Sequence, residues 1–236
     1  MYKRQGGRPA SGYNTAVGHN SMGGQWGTGA DVGYNTAIGR GTMAAALDGA
    51  SNNVAVGNNS LGALTSGDDN IAIGSLAADA LTTGSQNVAI GSSALSAATD
   101  ANYIVAVGQG AGAALNHSDA NGSVFVGKDA GAAVTSGASN TAIGYQSLDA
   151  ASTSDYNTAL GHQALSGVTT GAGSNTAVGY QAGLAIVGGE YNTLMGQGAG
   201  VALTEGDYNT IIGKRAGAIL TTSSKNLQIG YVKLSR

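Results

Sequence analysis

The chain contains no cysteine and, in 236 residues, only one proline, one tryptophan and one phenylalanine. The absence of cysteine excludes a disulfide framework and any thiolate metal site. No run of about 18 apolar residues is present, so we expect no transmembrane helix and no membrane insertion. No secretory signal is visible in the first residues.

Charge is also scarce, because only 10% of the residues are charged. Twelve acids and one base, Lys128, lie between Gly41 and Gly213, and the excess of basic residues is confined to the two ends. A nucleic-acid-binding protein needs a basic stripe along its surface. The acidic shaft therefore argues against a nucleic-acid partner and fits solvated corners that keep the protein soluble.

What the chain has in abundance is one pentapeptide, Asn140-Thr141-Ala142-Ile143-Gly144, which recurs from end to end. We call the last residue of each copy the repeat glycine. The copies end at Gly18, Gly39, Gly57, Gly74, Gly91, Gly108, Gly127, Gly144, Gly161, Gly179, Gly196, Gly213 and Gly230. The most frequent spacing is 17 residues. A period this short and regular predicts an all-β parallel β-solenoid, or β-roll, of about 13 coils with a 17–18 residue period.

Each pentapeptide reads as a short strand. β-Branched residues dominate at the third position before the glycine, and they favour strands over helices. The residue immediately before the glycine is apolar in every copy, so we predict that this column forms the core. The predicted core residues are Ile38, Val56, Ile73, Ile90, Val107, Val126, Ile143, Leu160, Val178, Met195 and Ile212.

Alanine predominates between those two columns, on the opposite face of the strand. A column of alanine beside a column of glycine indicates that another backbone layer lies close on that side. One coil buries about three large aliphatic side chains, which barely offsets the entropy of ordering its residues. We therefore predict that the alanine face packs against sister chains, in a homotrimer.

Asparagine occupies the fourth position before the glycine in most copies. Asparagine tolerates left-handed backbone geometry, and stacked asparagines can form an amide ladder. The predicted ladder comprises Asn53, Asn70, Asn87, Asn140, Asn157, Asn175, Asn192 and Asn209. The apolar spacing in the second half of each coil fits either a helical turn or a second strand, and periodicity alone does not decide between them.

No catalytic constellation is apparent, and we expect no enzyme activity, no cofactor and no metal site. The three histidines, His19, His117 and His162, are far apart in the repeat order and have no fixed acidic companions, so we interpret them as surface residues. Glycine strings such as Gly108–Gly112 resemble phosphate-binding loops only superficially, because their glycines follow the coil period.

The tyrosines also follow the repeat: most of the ten directly precede the repeat asparagine or directly follow the repeat glycine. Such corner tyrosines fit either a sugar-stacking surface or packing along the corner and at a chain interface. The candidate surface-contact residues are Tyr145, Tyr156, Tyr180, Tyr191 and Tyr208.

The copies at residues 140–144 and 87–91 resemble the S-V-A-I-G repeat of trimeric autotransporter adhesin heads. The longer form N-T-A-I-G-Y-Q-S-L, starting at Asn140, is similar to repeats in phage tail fibres and environmental surface proteins. The resemblance implies a left-handed β-roll, three chains per rod, and an extracellular role on a cell surface or virion. The period here is longer than in the adhesin heads.

The first hypothesis for function is thus a non-enzymatic fibre or adhesin segment that binds a cell-surface glycan or protein receptor. A structural spacer or virion decoration protein is the alternative. An ice-binding solenoid is a further one, suggested by threonine pairs such as Thr82-Thr83, Thr169-Thr170 and Thr221-Thr222. We expect residues 13–236 to form one domain, with 1–12 frayed. Residues 1–5 look like a translated library-adapter sequence rather than native protein.

Overall fold

The computed structural model of the chain describes residues 12–24, 32–117, 120–169 and 171–231. Several features predicted from the sequence lie outside these ranges: the N-terminal segment up to residue 11 with its adapter-like start, most of the loop around Trp26, Thr170, and the last five residues.

Every predicted strand is present, and each is three residues long. They are β1 (Thr15–Val17), β2 (Thr36–Ile38), β3 (Val54–Val56), β4 (Ile71–Ile73), β5 (Val88–Ile90), β6 (Val105–Val107), β7 (Val124–Val126), β8 (Thr141–Ile143), β9 (Thr158–Leu160), β10 (Thr176–Val178), β11 (Thr193–Met195), β12 (Thr210–Ile212) and β13 (Leu227–Ile229). No α-helix occurs in the described residues. The all-β solenoid predicted from the repeat is confirmed.

The chain forms two compact units, Met1–Asn121 and Gly122–Arg236. In the first unit β1 to β6 pair in chain order, and in the second unit β7 to β13 do the same, all in parallel. The pairing keeps one register, so that Thr141 lies beside Thr158 and Ala142 beside Ala159. Residues equivalent in the repeat therefore lie directly above one another within each unit.

The repeat glycines are required by the close approach of one coil to the next. A Cβ atom at Gly144 would lie 2.5 Å from the carbonyl oxygen of Gly161, which is well inside van der Waals contact. Gly144 also has a φ of +139°, a conformation that side chains disfavour. The same clash with the following glycine recurs at Gly91 and Gly127. The backbone layer that the glycine column indicated is thus the next coil of the same chain.

The side chains predicted to form the core, immediately before each repeat glycine, point away from the interior of the coil. Ala142, in the middle of its strand, is fully buried, whereas Ile143 is 37% exposed, Leu160 43% and Met195 45%. The outward column comprises the residues predicted to be core: Ile38, Val56, Ile73, Ile90, Val107, Val126, Ile143, Leu160, Val178, Met195 and Ile212, none of which is fully buried. The reason is the alternation of side chains along a strand: the middle residue faces the interior of the coil, so the residues on either side of it face outwards.

The alanine face therefore cannot pack against sister chains, because it is buried inside its own coil. Ala55, Ala72, Ala106, Ala142 and Ala159 all have no exposed surface. The surface that remains available on each strand carries its first and third residues. We call this surface the outward strand face.

The predicted asparagines form a buried amide ladder. In a typical link, the Asn192 side-chain amide donates to Oδ1 of Asn175 at 3.0 Å and to the Gly206 carbonyl at 2.8 Å. Its own Oδ1 accepts from the backbone and side-chain N–H groups of Asn209. Every polar atom of such an amide thus has a partner, as a buried amide requires. The eight predicted ladder residues are all buried.

The second half of each coil is a series of turns, neither a strand nor a helix. Leu148, four residues after its repeat glycine, adopts a φ of +52°, and its N–H donates to the Ala164 carbonyl of the next coil at 3.0 Å. Gln146, two residues earlier, has a φ of +51° and donates to the Lys128 carbonyl of the preceding coil. Left-handed residues at alternate positions thus direct successive hydrogen bonds to both neighbouring coils. Left-handed geometry disfavours β-branched residues, which explains their absence from these positions.

The interior is filled by pairs of complementary size. Where the middle strand residue is alanine, a leucine often lies six residues later, as in Ala142 with Leu148 and Ala159 with Leu165. Where the middle residue is large, that position is glycine: the pairs are Phe125 with Gly131, Leu194 with Gly200, and Ile211 with Gly217. A Cβ at Gly200 would lie 2.9 Å from Leu194, and one at Gly131 would meet the Phe125 ring. In each of these pairs, one large side chain fills the space between the strand and the turn six residues later.

This exchange predicts a double-mutant rescue at Phe125 and Gly131. Phe125→Ala should cost about 3–5 kcal/mol through the cavity it leaves, and Gly131→Leu about 1–3 kcal/mol or more through overpacking. The double variant reproduces the Ala142–Leu148 pair of the next coil, so most of both losses should be recovered. Chemical denaturation of the four proteins measures the coupling. Losses that simply add would contradict the size-exchange account.

Candidate functional surface

No metal-binding cluster is present among the described residues. They contain no group of three His, Asp or Glu side chains placed to bind a metal ion. Within those same ranges, no helix is long and apolar enough to cross a bilayer. The distinctive side chains lie instead in rows along the outside of the second unit, where equivalent positions of successive coils come together.

The first row consists of residues that directly follow the repeat glycine, and we call it the post-glycine row. The His162 ring lies 5.1 Å from the Tyr145 ring and 5.1 Å from the Tyr180 ring. The Lys128 ammonium lies 6.0 Å from the centroid of the Tyr145 ring, within the range of a cation–π contact. Four successive coils thus contribute to one exposed stack of a cation and three rings.

A second ladder runs beside this stack, formed by the glutamines that follow each ring. The Gln163 amide donates to Oε1 of Gln146 at 3.2 Å, and the Gln181 amide donates to Oε1 of Gln163 at 2.9 Å. Asp129 occupies the same position one coil earlier, and its carboxylate lies 3.9 Å from Lys128. This exposed ion pair contributes little to stability. The surface therefore pairs ring edges with amide groups over three coils.

The residues that directly precede the repeat asparagine form a further line, the pre-asparagine row. In the second unit Tyr191 stacks on Tyr208 with ring centroids 4.9 Å apart and planes 7° from parallel. In the first unit Tyr13 stacks on Tyr34 at 5.2 Å. No described ring stacks on Tyr156, whose neighbours in the row are serines.

All five tyrosines predicted to lie at the surface are exposed. The structure brings Tyr145 and Tyr180 together in the post-glycine row, and it places Tyr156, Tyr191 and Tyr208 in the pre-asparagine row. His162 was not predicted as a functional residue, nor was the glutamine ladder. The sequence could have predicted both features, because His162 and Gln163 occupy the same repeat positions as Tyr145 and Gln146.

Stacking changes what these rings offer to a ligand. Each ring within a stack turns its faces towards its neighbours, so that only its edge and its hydroxyl group or ring nitrogen face the solvent. A free ring face remains only at the end of a stack or where a coil lacks a ring. Interior members of a stack therefore contact a ligand through hydrogen bonds at their edges.

Carboxylates that precede the pre-asparagine row serve as backbone acceptors. Asp155 Oδ1 accepts from the Ala138 N–H at 2.7 Å, and Asp207 Oδ1 accepts from the Glu190 N–H at 2.9 Å. Asp68 does the same for Ser51 in the first unit. In the second unit, Asp155 and Asp207 are thus fixed next to the tyrosines that follow them, Tyr156 and Tyr208.

Comparison with protein-family models, with curated proteins and with solved structures returns no match for this chain. Any assignment of function must therefore rest on the chemistry of the chain's own surface.

Two acids on the turn half of the coil have raised pKa values. Burial raises the pKa of Asp79, although its own backbone N–H partly opposes this effect. Burial also raises the pKa of Asp149, with a further increase from the negative charge of Asp129. Oδ1 of Asp79 is buried and has no hydrogen-bond partner among the described residues.

A raised pKa in the folded state means that folding favours the protonated acid. The contribution of Asp79 to stability is therefore fully present below the ordinary pKa of 3.8 and is lost as the pH rises through the raised value. Asp79→Ser, which introduces the residue of the next coil, Ser96, should raise the melting temperature at pH 7. The gain should shrink towards pH 3.

Thermal unfolding of wild type and variant across this pH range measures the difference. Asp79→Asn, which retains the shape of the side chain without its charge, serves as the control and should show the same pH-dependent gain. A variant that is less stable than wild type at neutral pH would show that the carboxylate stabilises the coil.

Proposed function

We propose that this chain is a non-enzymatic segment of a fibre or adhesin that acts outside the cell, on a cell surface or a virion, and binds a glycan or protein receptor. The observation that carries the proposal is the exposed post-glycine row of Lys128, Tyr145, His162 and Tyr180. These side chains stabilise no buried core, and together they form a regular strip of hydrogen-bonding groups.

The distribution of sequence variation among the coils supports this proposal. The repeat glycine, the ladder asparagine and the inward strand residue meet packing requirements, and they change little from coil to coil. The residue after the glycine instead varies among Arg, Asn, Ser, Gln, Lys, His and Tyr. The stacked coils bring such residues to a fixed spacing on a rigid support, as a binding surface requires.

Glycan recognition fits the polar edges of the row. Tyr145, His162 and Tyr180 are each followed directly by a glutamine of the amide ladder, Gln146, Gln163 and Gln181. Such groups both donate and accept hydrogen bonds, and a chain of sugar hydroxyls offers complementary partners. Binding would then depend on edges and amides and not on stacking of sugar rings against tyrosine faces.

We further propose that the chains associate as a homotrimer through the outward strand face. This face replaces the alanine face as the candidate interface, because the alanines are buried within the coil. It presents apolar side chains on consecutive strands, including Ile143, Leu160, Val178 and Met195. A contiguous apolar surface of this kind is typical of protein–protein contacts.

The test measures binding of the full chain to bacterial cells and to a glycan array, together with its mass by sedimentation velocity. The double variant Tyr145→Ser/Tyr180→Ser should weaken binding roughly tenfold or more, because two of the edge groups are lost. Tyr103→Ser removes a tyrosine outside the row that is even more exposed than Tyr145 and Tyr180, and this variant should bind like wild type. Leu160→Lys should convert the trimer to a monomer. A trimer that binds no surface would instead support the structural spacer.

Ice binding is a second candidate, favoured by the threonines of the outward strand face. Strands β8 to β12 each begin with threonine, and the register places these residues side by side. The corner threonines noted in the sequence are less suited, because Thr82 Oγ1 donates to the Thr99 carbonyl at 2.8 Å. A hydroxyl that already donates within the protein has less capacity to order water.

A thermal-hysteresis assay tests this second candidate. If the strand threonines order ice-like water, the wild-type protein should show a freezing-point hysteresis that Thr176→Lys abolishes. Thr82→Val, at the corner, should leave it unchanged. Absence of hysteresis in the wild-type protein would eliminate ice binding and leave the adhesive proposal unaffected.

A further inference from the structure

The pre-asparagine row of the second unit is interrupted at one coil. From Tyr156 to Tyr208 the row reads Tyr156, Ser174, Tyr191, Tyr208, so that one serine stands among tyrosines. The residues that directly precede these four show the same interruption, with acids before the tyrosines and glycine before the serine: Asp155, Gly173, Glu190 and Asp207. An acid–tyrosine pair therefore lies on either side of a glycine–serine pair.

The backbone of the row is regular through the interruption. Tyr156, Ser174 and Tyr191 have φ values of +59°, +57° and +57°. Each N–H donates to the coil before it: Ser174 to the Asp155 carbonyl at 3.0 Å, and Tyr191 to the Gly173 carbonyl at 3.2 Å. The three residues therefore project from equivalent positions in consecutive coils, and only the side chain changes.

The missing ring leaves a slot of defined width. Tyr191 and Tyr208, one coil apart, stack at 4.9 Å. Tyr156 and Tyr191 are two coils apart, so a gap of roughly 10 Å separates their positions, with Ser174 at its floor. An object centred in this gap lies about 5 Å from each ring, which is within the approximately 6 Å range of a cation–π contact. Both tyrosines are at least half exposed, so the slot is open to solvent.

The charges around the slot select a cation. Asp155 directly precedes Tyr156, and Glu190 directly precedes Tyr191. No lysine or arginine lies within the stretch from 129 to 213, which covers the coils on both sides of the slot. The electron-rich ring faces and the neighbouring carboxylates both favour positive charge and disfavour anions.

We propose that Tyr156, Ser174 and Tyr191 form a binding slot for a small quaternary ammonium group, such as the trimethylammonium head of choline. A quaternary ammonium is poorly hydrated, carries its charge on a rounded apolar body, and has no hydrogen-bond donors to satisfy. It therefore fits between two ring faces that provide no hydrogen-bond acceptors. The inference builds on the proposed adhesive function by naming a ligand class for a second part of the same surface.

The test titrates the full chain with choline by calorimetry. As the matched probe we use its neutral isostere, in which carbon replaces the ammonium nitrogen. Choline should bind, and the isostere should bind roughly tenfold more weakly, because it keeps the shape but loses the charge. Equal binding of the two would overturn the cation assignment, and so would binding of a methyl glucoside in place of choline.

Two tyrosine insertions provide matched variants. Ser174→Tyr fills the slot with the residue of the two following coils, so it should extend the stack, preserve thermal stability and abolish choline binding. Ser139→Tyr places a ring on the other face of Tyr156 and leaves the slot open, so choline should bind as in wild type. Choline binding that survives Ser174→Tyr would refute the site. Phosphatidylcholine vesicles in a further arm distinguish a lipid headgroup from free choline.

The choline slot and the adhesive function can be refuted independently of each other. If choline does not bind while cell or glycan binding depends on Tyr145 and Tyr180, only the slot is refuted. If choline binds the slot while the chain binds no cell surface or glycan, the adhesive function is refuted and the slot stands.

Discussion

The spacing between successive coils is the constraint on which the rest of the structure depends. Backbone hydrogen bonds from coil to coil hold it near the separation of paired strands, about 4.8 Å. At this distance the repeat position facing the next backbone must be glycine, as at Gly144. The same distance allows one side-chain amide to bond to the next, as in the step from Asn175 to Asn192, and one ring to stack on another.

A coil of 17 residues encloses very little space, and this reverses the usual relation between hydrophobicity and burial. Where the middle of the strand faces the turn six residues later, the large side chain comes from one half or the other, as in Ala142 with Leu148 or Phe125 with Gly131. The third strand residues are apolar and point outwards, because side chains alternate along a strand and the middle residue faces the interior. The fold therefore leaves an apolar strand face on its surface, which is the face that we propose as the interface between chains.

The sequence predicted the strands, the glycine column and the asparagine ladder, because each depends on backbone spacing and so repeats with the coil. It did not predict which face of the strand is buried: Ile143 is more apolar than Ala142, but the cross-section, not hydrophobicity, decides. The turns in the second half of each coil were not predicted either, because a left-handed residue such as Leu148 produces neither a helix nor a strand pattern in the sequence. His162 was missed because it was considered singly and not as the coil equivalent of Tyr145.

Regular stacking also limits how such a surface can acquire binding specificity. In a continuous row, each ring face is covered by the neighbouring ring. Lengthening the row therefore adds solvent-exposed ring edges but few new exposed ring faces. Replacing one ring by a small residue, as at Ser174, exposes two faces at a distance set by the backbone and not by side-chain packing. The width of the gap is then set by the hydrogen-bonded spacing of the coils within the second unit. A repeat protein of this type can therefore create a shaped site by omitting a side chain, without any change in its fold.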